Sequence, residues 1–345
     1  MLVKEESVPT VTVIVPVKNG GAKIQGLLDS LMQVDYHKNK LEIIIVDGNS
    51  SDNTREIVSR YPVTLLLEEK RGINGARNTG IKHSVGDIIV FTDSDCVVPK
   101  DWIKRIVEDF QDSKVGCVGG NVEGYYDDFL SRYSDESIIP VMRRFKRREV
   151  LDTIKPPLHY PAGCNMAIRR DIIEKVGLFD ENIMYGFDED ELVERICRKG
   201  NEMILDPEVL VKHKHRSTLL ELLKQNFRYG RGIGLLLKMR GVKSAFSKWI
   251  LLCILGFIIG ISIILSLALF TLLAFSIENL VRLLTILLVP PIGLILFYAY
   301  KVIKNKIRNY ASILAYPLID IARSLVFVFG GIYQLLKPKE KVNTS

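Results

Sequence analysis

Residues 87–95, DIIVFTDSD, carry two aspartates directly after a short apolar run. Three similar runs come earlier in the chain: VTVIV at 11–15, LEIIIV at 41–46 and VTLLL at 63–67. Turn residues and helix-like segments separate the runs, which is the alternation of a parallel α/β sheet. Because each run has little polar interruption, we expect strands that are covered on both faces. The sequence therefore predicts an α/β domain with a mostly parallel, Rossmann-like sheet.

Segments rich in Gly, Asn, Asp or Ser follow the first, second and fourth of these runs, at residues 16–21, 47–52 and 92–95. Open α/β sheets bind ligands outside the carboxyl ends of their strands. We therefore expect the three segments to build one ligand site.

Asp93 and Asp95 are separated by one residue in the last of these segments. At this spacing a loop can present both carboxylates to one hard cation, such as Mg²⁺ or Mn²⁺. An ion held there would neutralise a nucleotide diphosphate and stabilise it as a leaving group. Aspartates at this spacing also occur in ordinary turns, so the interpretation depends on the motifs around them.

Those motifs make residues 11–235 resemble the family 2 inverting glycosyltransferases of GT-A fold. VTVIVPVKNGG at 11–21 resembles the nucleotide-binding loop of that family, although Lys18 and Gly20 replace its frequent aromatic and acidic residues. IIIVDGNSSDNT at 43–54 and GARNTGIKHSVGDIIVFTDSDC at 75–96 resemble the second and third signatures. The resemblance implies a nucleotide-sugar site formed by Pro16, Val17, Asn19, Asp47, Arg77, Asn78, Asp93 and Ser94, with Asp47 on the nucleobase. It also implies that Asp93, Asp95 and His213 hold Mn²⁺ or Mg²⁺; His215 is the alternative histidine.

The resemblance extends to the acceptor side of the site. PAGCNMAIRRDIIEKVGLFDE at 161–181 implies that Gly163, Cys164 and Asn165 lie near the transferred sugar. Further along, a Gln-x-x-Arg-aromatic segment implies a second set of acceptor contacts at Gln225, Arg228 and Tyr229.

An inverting transfer needs a carboxylate opposite the leaving nucleotide to take a proton from the attacking hydroxyl. The acidic run at 188–191 supplies the candidates, and the family pattern places Asp188 and Glu189 at the expected positions. A register shifted by one residue brings in Asp190. We expect Glu189 to be the base, with Asp188 and Asp190 as alternatives; the run would also favour a helix N-terminus.

The last third of the chain predicts membrane segments. Residues 249–275 contain no charge and exceed the about 20 apolar residues that span a hydrocarbon core. A second apolar stretch lies at about 281–300, uncharged from residue 283 onward. A possible third span, at 311–336, contains Asp320 and Arg323 near its middle. These two either pair inside a helix bundle or place the segment along the interface, because isolated charges at mid-bilayer are costly.

Basic residues set the orientation and the partners that we expect. Lys and Arg precede the first span, at 238–248, and follow the second span, at 301–308, which keeps those two ends in the cytoplasm. The formal charge of +7 is concentrated in residues 143–148 and 212–248, next to the apolar segments, so phospholipid or a lipid phosphate is a better partner than nucleic acid. The five cysteines form no Cys-x-x-Cys pair, which argues against a disulfide framework or a thiolate zinc site. The short apolar run before Pro16 does not match a signal-peptide core.

We therefore expect a catalytic domain at 1–215, an amphipathic interface helix at 216–245 and a membrane domain at 246–345. The helix could instead close the soluble domain. The expected reaction transfers a sugar from a UDP- or GDP-sugar to a lipid-linked acceptor, either polyprenyl or dolichyl phosphate or a lipid-linked glycan, at the cytoplasmic membrane face. A processive polysaccharide synthase and an inactive nucleotide-sugar-binding scaffold are the alternatives.

Overall fold

The computed structural model of the protein describes residues 8–138, 141–156, 159–274, 276–304, 306–307 and 309–338. The described residues fall into two compact units. The first unit comprises residues 8–135 and 141–217, and the second comprises residues 136–138 and 218–338.

A mixed sheet forms the centre of the first unit. Its strands, within the described residues, are β1 (Val11–Val17), β2 (Leu41–Asp47), β3 (Thr64–Leu67), β4 (Ile88–Phe91), β5 (Cys96–Val97), β6 (Val115–Gly124), β7 (Glu149–Leu151), β8 (Met166–Arg169) and β9 (Glu202–His213). They are arranged in the order β3-β2-β1-β4-β8-β6-β9-β5, and β7 pairs with β9.

Helices connect these strands. They are α1 (Gly21–Leu31), α2 (Thr54–Val58), α3 (Ile73–His83), α4 (Trp102–Asp109), α5 (Phe129–Glu136), α6 (Arg170–Val176) and α7 (Asp188–Arg198). The side chains of β1 and β4 are almost entirely buried, and apolar residues of α1 and α4 join them in one core. The predicted α/β domain is confirmed.

The parallel arrangement holds for only part of the sheet. β1, β2, β3 and β4 pair in parallel, as their apolar runs predict. β8 is antiparallel to both β4 and β6, and β9 is parallel to β6 but antiparallel to β5 and β7. The predicted parallel part of the sheet is thus present, and the short antiparallel pairs of β5, β7 and β8 make the whole sheet a mixed one.

The register of the parallel strands brings the predicted ligand segments to one edge. Val17 at the end of β1 lies opposite Asp47 at the end of β2. Phe91 at the end of β4 lies opposite Ile14 of β1, and Asp93 follows two residues later. The chain therefore leaves all three strands at the same side of the sheet.

The second unit is built from long helices: α8 (Leu219–Arg240), α9 (Ala245–Leu273), α10 (Ile277–Ile303) and α11 (Ser312–Leu336). Of the helices in the described residues, three are long and apolar enough to cross a membrane, namely α9, α10 and α11. The predicted third span thus forms a helix of sufficient length and hydropathy, and Pro290 and Pro291 lie inside α10.

Asp320 and Arg323 of α11 are paired inside the second unit. Arg323 Nη1 lies 3.9 Å from Asp320 Oδ1, and its Nε donates to Asn226 Oδ1 of α8 at 3.3 Å. Tyr298 of α10 donates its hydroxyl proton to the other oxygen of Asp320. Of the two arrangements left open by the sequence, the structure contains the paired one.

Candidate active site

The loops after β1 and β2 are tied together by side-chain hydrogen bonds. Asn19 has a left-handed backbone (φ 52°), and its side-chain oxygen accepts from the backbone N–H of Ser51 at 2.9 Å. In return, the backbone N–H of Asn19 donates to the Ser50 hydroxyl at 2.8 Å, and that of Gly20 donates to the Thr54 hydroxyl at 2.9 Å. The two loops therefore form one continuous floor beside Pro16 and Val17.

Ser94 packs against the same floor. A Cβ added to Gly20 would lie 2.5 Å from Val17 Cγ2 and 3.3 Å from Ser94 Oγ. Only glycine fits this gap without displacing a neighbour. The third ligand segment thereby lies directly against the first.

Asp47, the expected nucleobase residue, is fully buried at the end of β2. Its Oδ2 accepts from the backbone N–H of Ser50 at 3.0 Å and from Arg55 Nε at 2.7 Å. Burial alone would raise the pKa of Asp47, but the bonds from Ser50 and Arg55 lower it below its ordinary value. Among the described residues Oδ1 has no hydrogen-bond partner, so the carboxylate retains one acceptor for an N–H donor.

Asp95, Cys96 and His213 form a cluster whose potential ligand atoms all lie within 4.8 Å of one another. The pairing of β5 with β9 creates it by placing Cys96 opposite His213. His213 Nε2 lies 3.2 Å from Asp95 Oδ1. Asp93, which the resemblance placed in the metal set, is not part of this cluster; it lies close enough to raise the pKa of Arg77.

Asp95 and His213 stabilise each other's charged forms. Burial opposes ionisation of Asp95, but the hydrogen bond and charge of His213 lower the pKa of its carboxyl, with help from Lys23 and Arg216. Burial likewise opposes protonation of His213, yet Asp95 raises the pKa of the imidazole to about 9. Burial raises the pKa of Asp93.

Of the three potential ligands in the cluster, two suit Mn²⁺ or Mg²⁺ and one does not. A carboxylate and an imidazole are suitable for Mn²⁺, and the oxygens of a diphosphate would complete its coordination. The thiol of Cys96 is a soft ligand that a hard cation does not favour. Asp95 and His213 are therefore the protein ligands that this geometry supports.

Two half-exposed cations also reach Asp95. Lys23 Nζ of α1 lies 3.5 Å from Asp95 Oδ2, and Arg216 Nη1 lies 3.9 Å from the same atom. The sequence singled out neither cation as a ligand, because only the fold brings α1 and the segment after β9 to the aspartate.

Arg77 is a buried cation on α3. Its guanidinium pairs with Asp188 and lies 5.2 Å from the ring centre of Phe179. Burial opposes its charge, but Asp188, Glu189 and Asp93 together raise the pKa of Arg77. A Cβ on Gly163 would lie 2.5 Å from Arg77 Nη2, so this glycine makes room for the guanidinium.

The three candidate bases open helix α7 and have different surroundings. Burial raises the pKa of Asp188 to about 7, and Glu189 adds to the shift, whereas Arg77 opposes it. Asp190 is buried, and burial raises the pKa of its carboxyl well above the ordinary value. Its Oδ1 has no hydrogen-bond partner among the described residues. Glu189 is only partly buried. Of the three, Glu189 is the one that is not fully buried.

Two expected ligand residues are engaged in internal hydrogen bonds. The Asn78 side chain donates to Phe179 O at 3.0 Å and accepts from Phe179 N at 3.1 Å. The Asn165 oxygen accepts from Trp102 Nε1 at 2.9 Å, while its amide donates to the carbonyls of Asn121 and Val209, each at 2.8 Å. The structure thus gives both amides a role in holding the fold.

The remaining acceptor residues lie in different units. Cys164 is buried in the first unit; a hydrogen bond with Cys96, followed by burial, raises the pKa of its thiol well above the usual range. Gln225, Arg228 and Tyr229 lie on α8 of the second unit, where Gln225 Nε2 donates to the Tyr229 hydroxyl at 3.0 Å. Arg228 is exposed.

The chain is similar to known proteins in sequence and in fold. A sequence profile of glycosyl transferase family 2 matches residues 12–177. Glycosyltransferase AglE of Haloferax volcanii is 32% identical over 235 residues, which cover 66% of this chain and 73% of AglE. The probable glycosyltransferase YdaM of Bacillus subtilis is 28% identical over 241 residues, which cover 66% of this chain but only 56% of YdaM.

The fold resembles that of the mannosyltransferase PcManGT from Pyrobaculum calidifontis, solved in complex with GDP-Man and Mn²⁺. The TM-score is 0.61 at 22% identity, with 96% of this chain and 88% of that chain covered. At this identity the likeness establishes a common GT-A-like fold.

Proposed function

Because the chain belongs to glycosyl transferase family 2, we propose that it transfers a sugar, with inversion, from a UDP- or GDP-sugar to a lipid-linked acceptor. The observation that carries the proposal is the pairing of Asp95 with His213 at the edge of the sheet, beside the strand-end loops. The complex of PcManGT with GDP-Man and Mn²⁺ supports the donor and the ion.

The donor would lie across the loops after β1, β2 and β4. Asp47 Oδ1, which is buried without a partner among the described residues, would accept from a nucleobase N–H, and Lys23 and Arg216 would supply positive charge for the diphosphate. Asp95 and His213 would hold Mn²⁺ or Mg²⁺. When bound, the ion neutralises the diphosphate and makes it a better leaving group.

Glu189 would act as the base toward an acceptor hydroxyl. It is the partly buried member of the acidic run, whereas Asp188 is occupied by Arg77 and Asp190 is enclosed. A general base contributes about 10²–10⁴-fold to such a proton transfer. A phosphate acceptor is already anionic and would depend less on Glu189.

The acceptor is proposed to be held in a membrane. Large apolar side chains cover the exposed surfaces of α9 and α10, for example Leu265 and Leu296, and such surfaces are stable in lipid. A polyprenyl or dolichyl phosphate, or a lipid-linked glycan, could keep its tail in that lipid. The basic residues after α10 support placing the first unit at the cytoplasmic face.

For binding a lipid phosphate, α8 is a better candidate than the basic run at 143–148, because three arginines of that run already have partners. Within that run, Arg143 stacks on Tyr160 at 3.7 Å, and Arg148 donates to Asp109 at 2.9 Å. Arg144 donates to Glu123 at 2.7 Å. Arg228 of α8 is exposed, so we propose it for the acceptor phosphate.

Incubating the purified full chain with a panel of nucleotide sugars, Mn²⁺ and lipid acceptors tests this function. Mass spectrometry of the lipid fraction should show one added sugar with one donor, and Asp95→Asn should abolish that product. Long polymers would indicate a processive synthase instead. Donor binding without any product from any acceptor would indicate a binding scaffold.

A further inference from the structure

A chain of hydrogen-bonded side chains extends from the proposed metal ligand His213. Its Nδ1 lies 3.0 Å from Nδ1 of His215, and His215 Nε2 lies 3.2 Å from Asp135 Oδ1. On the other side, His213 Nε2 faces Asp95 Oδ1 at 3.2 Å. Both imidazoles are more than nine-tenths buried.

When both imidazoles are neutral, hydrogen bonding allows only one arrangement of protons behind His213. The carboxylate of Asp135 accepts and cannot donate, so the proton of His215 must be on Nε2. Nδ1 of His215 is then an acceptor, and it requires a proton on Nδ1 of His213. A neutral His213 in this state has its lone pair on Nε2, the atom that faces Asp95.

The fold keeps this chain in place. Asp135, near the end of α5, accepts from the backbone N–H of Gly124 through Oδ2 at 2.9 Å. A Cβ on Gly124 would lie 2.3 Å from Ser131 Oγ and 3.1 Å from His215 Cδ2, so the glycine leaves room for the second imidazole. Arg144 Nη1 lies 4.0 Å from Asp135 Oδ2. The carboxylate is therefore anchored independently of the two histidines.

We propose that His215 and Asp135 are positioning residues that orient His213 and hold its Nε2 lone pair toward a divalent cation at Asp95. The inference rests on the proposed function, since that function requires the cation. It adds His215 and Asp135 to the proposed metal site as residues that do not touch the ion. Hydrogen-bond partners behind a metal-binding histidine fix its tautomer and ring orientation, and losing them weakens metal affinity about 10–100-fold.

The test measures Mn²⁺ affinity by the electron paramagnetic resonance signal of free Mn²⁺, using the full chain with Mn²⁺ alone and with added UDP or GDP. His215→Phe removes the acceptor and should weaken Mn²⁺ binding about 10–100-fold. His215→Gln should restore it, because the glutamine oxygen can accept from His213 and its amide can donate to Asp135.

Asp135→Asn is a second, independent variant. Its oxygen is needed by the Gly124 N–H, which leaves the amide N–H₂ facing His215 Nε2. That donor would reverse the tautomers of both histidines and put a proton on the His213 atom that should bind metal. Mn²⁺ affinity should fall as with His215→Phe.

His159→Phe is the matched control, because His159 also lies 2.9 Å from a carboxylate oxygen, that of Glu149, but outside this cluster. It should leave Mn²⁺ affinity unchanged. If the wild type binds Mn²⁺, and His215→Phe and Asp135→Asn bind it as tightly as the wild type does, the inference is overturned and the proposed function stays intact. Failure of the wild type to bind Mn²⁺ with either nucleotide would overturn both. A His215→Gln protein as weak as His215→Phe would also contradict the positioning role, provided that both melt at the wild-type temperature in EDTA.

Discussion

Arg77 joins two distant parts of the chain through a buried ion pair. Its partner Asp188 opens α7, and both side chains are 3% exposed. Removing one member of such a pair leaves an uncompensated charge in the interior, which typically destabilises a protein by about 3–5 kcal/mol.

We predict that Arg77→Met lowers the stability of the full chain by this amount. Adding Asp188→Leu to it should recover much of the loss, because the unpaired carboxylate is then gone. Thermal unfolding in detergent, monitored by tryptophan fluorescence, measures both variants. A single variant as stable as the wild type would show that the pair is not buried in solution.

Glu189 provides a kinetic prediction. With an acceptor whose nucleophile is a hydroxyl, Glu189→Gln should lower kcat about 10²–10⁴-fold, since the amide cannot take the proton. Donor affinity should remain at the wild-type value because Glu189 lies outside the Asp95 cluster. Initial rates and nucleotide titrations measure the two effects.

Glu194→Gln on the same helix is the control, because Glu194 pairs with Arg198. It should retain the wild-type kcat. Equal rates for Glu189→Gln and Glu194→Gln would exclude Glu189 as the base and direct attention to Asp190.

At the residue scale, the sequence predicted which residues lie at the site better than it predicted their hydrogen-bond partners. The strand-end positions of Asp47 and Asp95 followed from local pattern, since a polar residue after an apolar run marks the edge of a sheet. The internal bonding of Asn78 depends on Phe179, and that of Asn165 on Trp102, both far away in the chain. No local pattern contains such partners, so structural and ligand-binding amides look alike in sequence.

Helices α8 and α11 pack closely because glycines line their contact. A Cβ on Gly230 would lie 2.0 Å from the carbonyl oxygen of Phe327, and one on Gly330 would lie 2.3 Å from that of Phe227. Small residues at such positions let helix backbones approach each other.

We predict that Gly230→Ala destabilises the second unit by about 1–3 kcal/mol, because even a methyl group overpacks this contact. The control is Gly293→Ala in α10, where an added Cβ meets no atom within 4 Å among the described residues. Thermal aggregation in detergent should start at a lower temperature for Gly230→Ala only. Identical curves for the two variants would argue against the close α8–α11 contact.

At the scale of elements, the apolar runs in the sequence were sufficient to predict strands β1 to β4. Their order and parallel pairing followed from alternation with helices. The antiparallel placement of β8 between β4 and β6 was not predictable, because its partners are decided by long-range pairing rather than by its own composition. The packing of α8 on α11 was missed for the same reason: amphipathic periodicity identifies an apolar face but not what covers it.

At the scale of the whole molecule, hydropathy divides the chain into a part built for water and a part suited to lipid. We predict that residues flanking the first two spans face the cytoplasm and that the turn between them faces the other side. A membrane-impermeant maleimide should label Lys243→Cys and Lys304→Cys in inverted vesicles, and Glu278→Cys only in right-side-out cells. The reverse pattern would place the first unit outside the cytoplasm.

Isothermal titration calorimetry of the full chain tests whether a nucleotide sugar binds at Asp95 in a metal-dependent way. We predict that at least one UDP- or GDP-sugar binds in the presence of Mn²⁺ or Mg²⁺, that EDTA abolishes the binding, and that Asp95→Asn removes the metal dependence. Tight binding of the same donor that is indifferent to EDTA and to Asp95→Asn, or no binding of any such donor with either ion, would contradict a metal-held diphosphate at the edge of this sheet.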